Sequence, residues 1–283
     1  MRAALGMVEA GAALIDVGAR STAPYLDTAI DEATEADRLA RAVELLAGKL
    51  PVPISADTTR SGPARAALDA GARVINDVST LRDPLLARLV ASRALGLVLM
   101  AHPPSAPGGG DGAGGVRRPR GVRRRAVRGD HPSRSARLRR SETGRRTPPA
   151  PSPPPSPVGI VKEVLAAGLG RARAAGIPAG RIVVDPGIGF FRDAGIAWHE
   201  WDVGVLAGLR ALRELRRPIC VGVSRKSFVG AIVERVATGE RLAGSLAATA
   251  IAVVNGAAII RTHDVAETRD AVRVAERVRA VRR

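Results

Sequence analysis

The sequence has little cysteine, few aromatic residues and no long hydrophobic run. Its one cysteine, Cys220, excludes an internal disulfide framework and a zinc site made of several cysteines. Because Cys220 lies in the apolar run 219–223, we expect it to be a small buried hydrophobic residue and not a nucleophile. The longest apolar stretch, 246–254, is too short to span a bilayer, and no signal peptide is visible. We therefore expect a cytoplasmic protein with no membrane partner.

The shortage of aromatic side chains, 2% of 283 residues, restricts how the core is built. With 46% hydrophobic residues, the chain has enough apolar surface for a full core made of Ala, Val, Leu and Ile. Such a composition favours parallel strands that are covered by helices.

The net charge of +17 is concentrated in one segment. Residues 103–157 hold 13 arginines and 12 of the 20 prolines, and they contribute +10 of the charge. The rest of the chain is only moderately basic, so the charge does not require a nucleic-acid partner. The segment could be a basic linker that binds RNA or membranes, a disordered insertion, or out-of-frame translation of GC-rich DNA. We favour a pair of compensating frameshifts, which resequencing of the gene would test.

Outside this segment, strands alternate with helices, which indicates a parallel sheet with both faces covered. The predicted strands are 13–17, 52–56, 73–75, 97–100, 181–184, 219–223 and 258–260. The predicted helices are 2–10, 32–50, one after Pro63, one after Asp83, 158–175, 202–217, 226–237, 242–254 and one from Val265.

Seven strands suit either an open doubly wound sheet or a (β/α)8 barrel that lacks its first strand. We favour the barrel, because polar residues follow nearly every strand, whereas an open sheet would concentrate them at one switch point. The predicted organisation is 1–102 for strands 2–5 of the barrel, 103–157 for the insertion, and 158–283 for strands 6–8.

The residues at the strand ends describe one pocket. Carboxylates and an amide suit the donor and acceptor edge of a flat heterocycle, while lysine, arginine and histidine suit an anionic group. Each of these residues taken alone has an ordinary structural explanation, such as a helix cap or a turn. The residues concerned are Asp16, Asp57, Asn76, Asp77, Asp185, Lys226, Arg261 and His263.

Several motifs together resemble the dihydropteroate synthase family. They are Ile15-Asp-Val-Gly18, Ser21-Thr22, Asp57-Thr58, Ile75-Asn-Asp-Val-Ser79, Val184-Asp-Pro-Gly-Ile-Gly-Phe190, Gly222-Val-Ser-Arg-Lys-Ser-Phe228 and Arg261-Thr-His-Asp-Val265. They occur in the family's order and cover all of the chain except 103–157. The resemblance implies a (β/α)8 barrel that joins p-aminobenzoate to a dihydropterin methyl diphosphate with Mg²⁺ as cofactor, and that often forms a homodimer.

The resemblance also implies a role for each site residue. Pterin binding is expected of Asp57, Asn76, Asp185 and Lys226, and diphosphate binding of Arg261, His263 and the nearby Asn76. Phe190, Ser227 and Thr22 would form the p-aminobenzoate side. Lys226, Arg261 and His263 would be the catalytic residues, acting by stabilising charge at the breaking bond. No metal ligand is predicted, because the family's metal-binding asparagine belongs to the absent first strand.

Four departures from the family pattern bear on activity. The opening strand and its loop are absent, the loop 21–24 reads Ser-Thr-Ala-Pro without the usual arginine, and Phe191-Arg192 replaces Gly-Lys. The segment after Met100 is also replaced by the basic run. We therefore expect slow turnover.

Two other functions remain open. A pterin-binding methyltransferase domain shares the barrel but has no need of the anion-binding residues Lys226, Arg261 and His263. A non-catalytic nucleic-acid-binding protein would use residues 117–146, although no aromatic residues are interleaved there for base stacking.

Overall fold

The computed structural model describes residues 1–20, 28–103, 156–191 and 195–281, which all belong to one compact unit. Thr22, Arg192 and most of the segment 103–157 lie outside the described residues. Residues 156 and 157, predicted to belong to the insertion, instead begin a helix. The Ser156 hydroxyl accepts a hydrogen bond from Gly159 N at 3.2 Å.

The described residues form seven strands and nine α-helices. The strands are β1 (Ile15–Gly18), β2 (Ile54–Asp57), β3 (Val74–Asp77), β4 (Gly96–Met100), β5 (Ile182–Asp185), β6 (Cys220–Val221) and β7 (Ile259–Ile260). The helices are α1 (Arg2–Glu9), α2 (Glu32–Leu46), α3 (Ser61–Asp69), α4 (Pro84–Arg93), α5 (Pro157–Ala174), α6 (Trp198–Ala207), α7 (Ser227–Ile232), α8 (Leu242–Val254) and α9 (Val265–Val281). Three 3-10 helices cover Ala179–Arg181, Leu209–Leu215 and Thr238–Arg241.

All strand pairs are parallel and follow the order of the chain. Strands β1 to β5 form one sheet, β6 pairs with β7, and a bridge between Val184 and Ile219 joins the two groups. The strands curl into a barrel, because Arg261 after β7 donates to Asp16 of β1 at 2.9 Å. The expected seven-stranded (β/α)8 architecture is confirmed. In the described part of the chain, β1 and β7 are the two edges of the strand order.

Successive side chains of a strand point alternately to the apolar outer face of the barrel, against the helices, and to its polar interior. In β2, Ile54 and Ala56 pack in a buried cluster with Leu39 and Val43 of α2. Ser55 and Asp57 therefore face the barrel interior. A second buried cluster joins β5 and β6 to α5, α6 and α8, with Trp201 at 2% exposure. The expected core of Ala, Val, Leu and Ile is confirmed for the first cluster, whereas the second also contains Phe190, Phe191, Trp201 and Phe228. The expected burial of Cys220 is confirmed.

Three predicted helices have wrong bounds, each for a local reason. Helix α2 ends at Leu46 because Gly48 adopts a positive φ of 72° after an extended Ala47. The predicted helix 202–217 starts earlier, at Trp198, and breaks at Gly208 before a 3-10 helix. Helix α7 ends at Ile232, and the Arg241 guanidinium binds the carbonyl oxygens of Arg235 and Val236 in the segment that follows.

Candidate active site

The strand register brings three predicted site residues to the same rim of the barrel. Asp57 ends β2 and pairs in register with Asn76 of β3, and Asp185 ends β5. Because the strands are parallel, their carboxyl ends meet at one edge. Asn76 and Asp185 are buried, and the side chain of Asp57 is 12% exposed.

A first group of polar side chains surrounds Arg261. Its Nη1 donates to Asp16 Oδ2 at 2.9 Å and lies 3.4 Å from Asp57 Oδ2. Asn76 Nδ2 donates to the same Asp16 oxygen at 3.0 Å. Asp16 is therefore the centre of this group, which we call the acidic group: Asp16, Asp57, Asn76 and Arg261.

The electrostatics of the acidic group favour a ligand that donates hydrogen bonds. Burial, followed by the charge of Asp16, raises the pKa of Asp57 to about 7, against the opposing effect of Arg261. The Oδ1 atoms of Asp16 and Asp57 are buried, and neither has a hydrogen-bond partner among the described residues. Since buried polar atoms are nearly always paired, two such acceptors at a barrel mouth indicate positions for donor groups of a ligand.

A second group, which we call the turn group, comprises Asp185, Gly187, Gly189, Phe190 and Lys226. Asp185 Oδ1 accepts from Gly187 N at 2.8 Å, and burial raises the pKa of Asp185. Lys226 Nζ lies 5.0 Å from the centre of the Phe190 ring, within cation–π distance. Asp185, Phe190 and Lys226 thus line one wall.

Only glycine suits positions 187 and 189 of this turn. Their φ angles are 68° and 89°, a region that other residues rarely adopt. A side chain at Gly187 would collide with the carbonyl oxygen of Ala101, and a Cβ at Gly189 would lie 3.4 Å from Lys226 Nζ. The tight turn therefore allows Lys226 and Phe190 to approach each other.

The remaining basic residues follow the last two strands: Arg225 comes after β6, and His263 comes after β7. His263 Nδ1 is 3.0 Å from Ser224 Oγ, which also accepts from His263 N at 3.2 Å. Burial, followed by the charge of Arg225, lowers the pKa of His263. Arg225 in turn is ion-paired with Asp264. The arrangement fixes the His263 ring beside Arg261 at the rim.

The expected p-aminobenzoate side is described only in part. Ser227 is the first residue of α7, directly after Lys226, and Phe190 is buried. The His102 ring lies 6.3 Å from the Phe190 ring. Thr22 lies outside the described residues, so its predicted role stays a prediction.

The sequence pattern wrongly predicts that Asp77 faces the pocket, and it does not predict Asp202 as a residue that supports the site. Asp77 faces away from the site and accepts hydrogen bonds from Ser79 N and Leu81 N, so it stabilises a turn. Asp202 of α6 was not predicted, yet its Oδ1 accepts from Gly189 N at 2.8 Å and is buried. A polar residue within the apolar face of Trp201, Val205 and Leu206 is the one signal that the sequence offers for it.

No grouping of three or more His, Cys, Asp or Glu side chains that could hold a metal ion is found in the described ranges. In the acidic group, the guanidinium of Arg261 already lies against both carboxylates and would oppose a cation there. The described side chains therefore do not fit a magnesium ion held by the protein alone.

Comparison with known proteins gives a consistent result. The sequence model of the family described as "Pterin binding enzyme" matches residues 1–263. The dihydropteroate synthase of Mycobacterium leprae is 34% identical over 280 residues, covering 95% of this chain and 81% of that protein.

Two solved structures of Xanthomonas albilineans dihydropteroate synthase are similar to the chain. The complex with 4-aminobenzoic acid has a TM-score of 0.75 and 32% identity, covering 99% of this chain and 84% of that chain. The complex with 7,8-dihydropteroate has a TM-score of 0.73 and 30% identity, covering 99% and 86%.

Proposed function

The chain belongs to the pterin-binding enzyme family, within its dihydropteroate synthases, and from this membership we propose how its residues carry the reaction. The enzyme is a transferase of folate biosynthesis. It condenses p-aminobenzoate with (7,8-dihydropterin-6-yl)methyl diphosphate, which yields dihydropteroate and pyrophosphate. The observation that carries the proposed residue roles is the presence of the acidic group and the basic residues on one rim.

The acidic group and Asp185 supply the acceptors for the pterin. Pterin presents a guanidine-like edge of N–H donors, and a carboxylate can accept two of these in parallel. Asp185, together with the unpaired oxygens of Asp16 and Asp57, offers such acceptors. Lys226 of the turn group and Asn76 of the acidic group would complete the binding of the ring.

Arg261 and His263 would bind the diphosphate. The side chain of Arg261 is 42% exposed, so we propose that its guanidinium can turn from the carboxylates towards an anion at the mouth. His263 is held beside it by Ser224 at 3.0 Å. These residues have no purpose in a methyltransferase, whose substrate carries no diphosphate, and this distinguishes the two functions.

The reaction needs charge stabilisation and no covalent bond to the protein. The C–O bond to the diphosphate breaks, and its electron pair leaves with pyrophosphate, where Arg261 and Lys226 would balance the negative charge and His263 would donate a hydrogen bond. The pterin-bound methylene becomes electron-poor while the nearby carboxylates stabilise the positive charge. The amine nitrogen of p-aminobenzoate then forms the C–N bond and loses a proton to solvent.

We keep Mg²⁺ as a proposed cofactor. The described residues do not hold it by themselves, and Mg²⁺ commonly binds through phosphate oxygens with one or two carboxylates and water. We therefore propose that it is brought by the diphosphate, whose charge it would reduce.

The proposal also includes the cellular location of the protein and its oligomeric state. In the described ranges, no helix is long and apolar enough to cross a membrane. We propose a cytoplasmic location and a homodimer, the latter supported by the exposed apolar side chains of Ile232 at the end of α7 and of Val236 after it. Sedimentation of the purified protein measures the oligomeric state.

A direct assay tests the function. The purified chain is incubated with the pterin diphosphate and labelled p-aminobenzoate, and labelled dihydropteroate and pyrophosphate are both quantified. We expect equal amounts of the two products, and Lys226→Met should lower kcat/KM by about 10- to 100-fold, the equivalent of one charged hydrogen bond. Absence of dihydropteroate, or a fully active Lys226→Met variant, would contradict the proposal.

A further inference from the structure

The last two strands of the barrel are very short, although several proposed site residues follow them. Strands β6 and β7 have two residues each, and Arg261 N donates to Val221 O at 2.9 Å immediately beyond them. We call the segments 222–226 and 262–264 the rim loops. Among the described residues, no backbone–backbone hydrogen bond joins one rim loop to the other. Side-chain contacts therefore hold the two rim loops together.

Two side-chain contacts connect the rim loops. Ser224 Oγ accepts from His263 N at 3.2 Å. Arg225 Nε donates to Asp264 Oδ2 at 3.1 Å, and Arg225 Nη2 donates to Asp264 Oδ1. A bidentate pair of this kind fixes the orientation of both side chains as well as their distance. The Arg225–Asp264 pair is therefore the more directional of the two links.

The backbone of Arg225 is itself held in an unusual conformation. Its φ angle is 57°, in the left-handed region that residues other than glycine rarely adopt. Arg225 N donates to Ser245 Oγ at 2.9 Å, and Arg225 O accepts from Arg241 Nη1 at 3.0 Å. Ser245 Oγ also donates to Arg241 O at 2.8 Å. The start of α8 thus anchors the residue whose side chain reaches the other rim loop.

The neighbours of this pair in the sequence are proposed substrate contacts. Lys226 directly follows Arg225, and His263 directly precedes Asp264. The charge of Arg225 is already balanced, because its hydrogen bonds lower the pKa of Asp264 and keep that carboxyl group ionised. The pair is therefore suited to holding the rim loops in place and not to binding an anion directly.

We propose that Arg225 and Asp264 form a positioning pair that holds the two rim loops together, and thereby sets the affinity of the site for the diphosphate. This inference rests on the proposed function for its consequence in binding, since that function assigns the diphosphate to Arg261 and His263. Neither member of the pair contacts the substrate.

Asp264→Asn distinguishes positioning from direct electrostatics, because the two predict opposite results. Asn keeps the shape of the side chain, but the variant removes a negative charge from the neighbourhood of an anion site. If Arg225 were itself an anion ligand, this variant would release it and tighten anion binding. If the pair positions the rim loops, the same variant weakens anion binding despite the lost negative charge.

Calorimetry with inorganic pyrophosphate measures this difference in the free protein. We expect the Kd for pyrophosphate to rise about threefold in Asp264→Asn, the effect of a partly exposed ion pair. Unchanged or tighter binding would overturn the proposal. The double variant Arg225→Met/Asp264→Asn should bind no more weakly than Arg225→Met, because both changes break the same contact, and a further loss would also overturn it.

A second ligand separates positioning from a general structural loss. The affinity for 6-hydroxymethylpterin, which carries no diphosphate, should change less than about 1.5-fold in Asp264→Asn, because the acceptors proposed for the ring lie on β1, β2 and β5. Equal losses for this pterin and for pyrophosphate would contradict the proposal.

Asp69→Asn is the matched control. It breaks an ion pair of 2.6 Å between Asp69 and Arg93, whose side chain is 39% exposed, close to the 40% of Arg225. These two residues end α3 and α4, at the end of the barrel opposite to the rim. The control should bind pyrophosphate as the unmodified protein does, and a threefold weaker binding there would remove the support for a specific role of Arg225 and Asp264.

Hydrogen exchange followed by mass spectrometry tests the pair independently of any ligand. Peptides that contain the rim loops should exchange about threefold faster in both Arg225→Met and Asp264→Asn, and as in the unmodified protein in Asp69→Asn. Unchanged exchange in both variants would overturn the proposal. If the unmodified chain does not bind pyrophosphate, the proposed diphosphate contacts fail, and hydrogen exchange alone decides whether the pair holds the rim loops together.

Discussion

Replacement of Asp57 by Asn should make the protein more stable and less active. Burial and the charge of Asp16 raise the pKa of Asp57 from its ordinary value of 3.8 to about 7. Since each pKa unit corresponds to about 1.4 kcal/mol, ionised Asp57 destabilises the folded state by up to roughly 4 kcal/mol. Asn resembles the protonated carboxyl group in shape and has no charge to desolvate.

The sign of this effect fixes the pH range in which it is measured. A folded-state pKa above the unfolded value means that the proton stabilises the folded protein. This contribution is full below pH 3.8 and is lost as the pH rises to about 7. The stability of Asp57→Asn relative to the unmodified protein should therefore increase by about 2–3 kcal/mol between pH 5 and pH 8, and most of the increase should occur below pH 7.

Urea unfolding of both proteins at pH 5, 6, 7 and 8 measures the difference. Groups that titrate in both proteins, such as Asp185, cancel to first approximation in this comparison. Asp37→Asn is the control, because Asp37 lies in solvent with its side chain 55% exposed, and its stability difference should stay constant. A difference for Asp57→Asn that is equally constant would refute the reasoning.

The catalytic activity of Asp57→Asn is the second quantity that this prediction concerns. Since Asp57 is proposed to accept donor groups of the pterin, Asp57→Asn should lower kcat/KM for the pterin diphosphate by about 10- to 100-fold. A variant that is both more stable and less active shows that the ionised carboxylate is retained for binding. A variant with full activity would assign Asp57 to structure alone.

Three further predictions concern residues around the site. Asp185→Asn should lower pterin affinity by about tenfold or more in calorimetry, and unchanged affinity would contradict the proposed pterin contact. The Tm near neutral pH should not fall, because Asn keeps the oxygen that accepts from the turn backbone and removes a carboxyl group whose pKa is raised by burial. Arg225→Met should raise the pKa of His263 in an NMR titration, because the variant removes a nearby positive charge while His263 stays buried. A lower pKa of His263 in the variant would contradict this prediction. In urea unfolding, Asp202→Ala should destabilise the protein by about 1–3 kcal/mol, because it removes the acceptor of the hydrogen bond from Gly189 N. Asp202→Asn should retain most of the stability. Equal losses in the two variants would show that this hydrogen bond is unimportant.

The strands and the rim residues could be predicted because both follow from short-range rules. Apolar runs locate the strands, and parallel pairing brings their carboxyl ends together, so Asp57, Asn76 and Asp185 were identified as site residues. The same alternation would have separated Asn76 from Asp77, since neighbouring residues of a strand face opposite sides. The structure shows that Asp77 stabilises a turn on the outer side.

Glu35 and Asp202 could not be predicted, because their roles depend on contacts distant in sequence. An acidic residue near the start of a helix is ordinarily explained by the helix dipole, and α2 has two of them in its first turn. Only the packing of α2 against the β2–α3 connection shows that Glu35 is buried against Arg60 and Thr58. Asp202 likewise gains its partner from a turn 13 residues earlier in the chain.

The proposed roles of the site residues would explain why the substrate carries both a donor edge and an anion. In the free protein, Arg261 balances the charge of Asp16 and Asp57. A diphosphate alone would draw Arg261 away and leave two buried carboxylates without a counter-charge, which is unfavourable. A pterin alone would have to compete with Arg261 for the same oxygens. A pterin diphosphate would replace both partners at once, with its N–H donors on the carboxylates and its phosphates on the arginine. On these proposed roles, the site would select the two groups joined in one molecule.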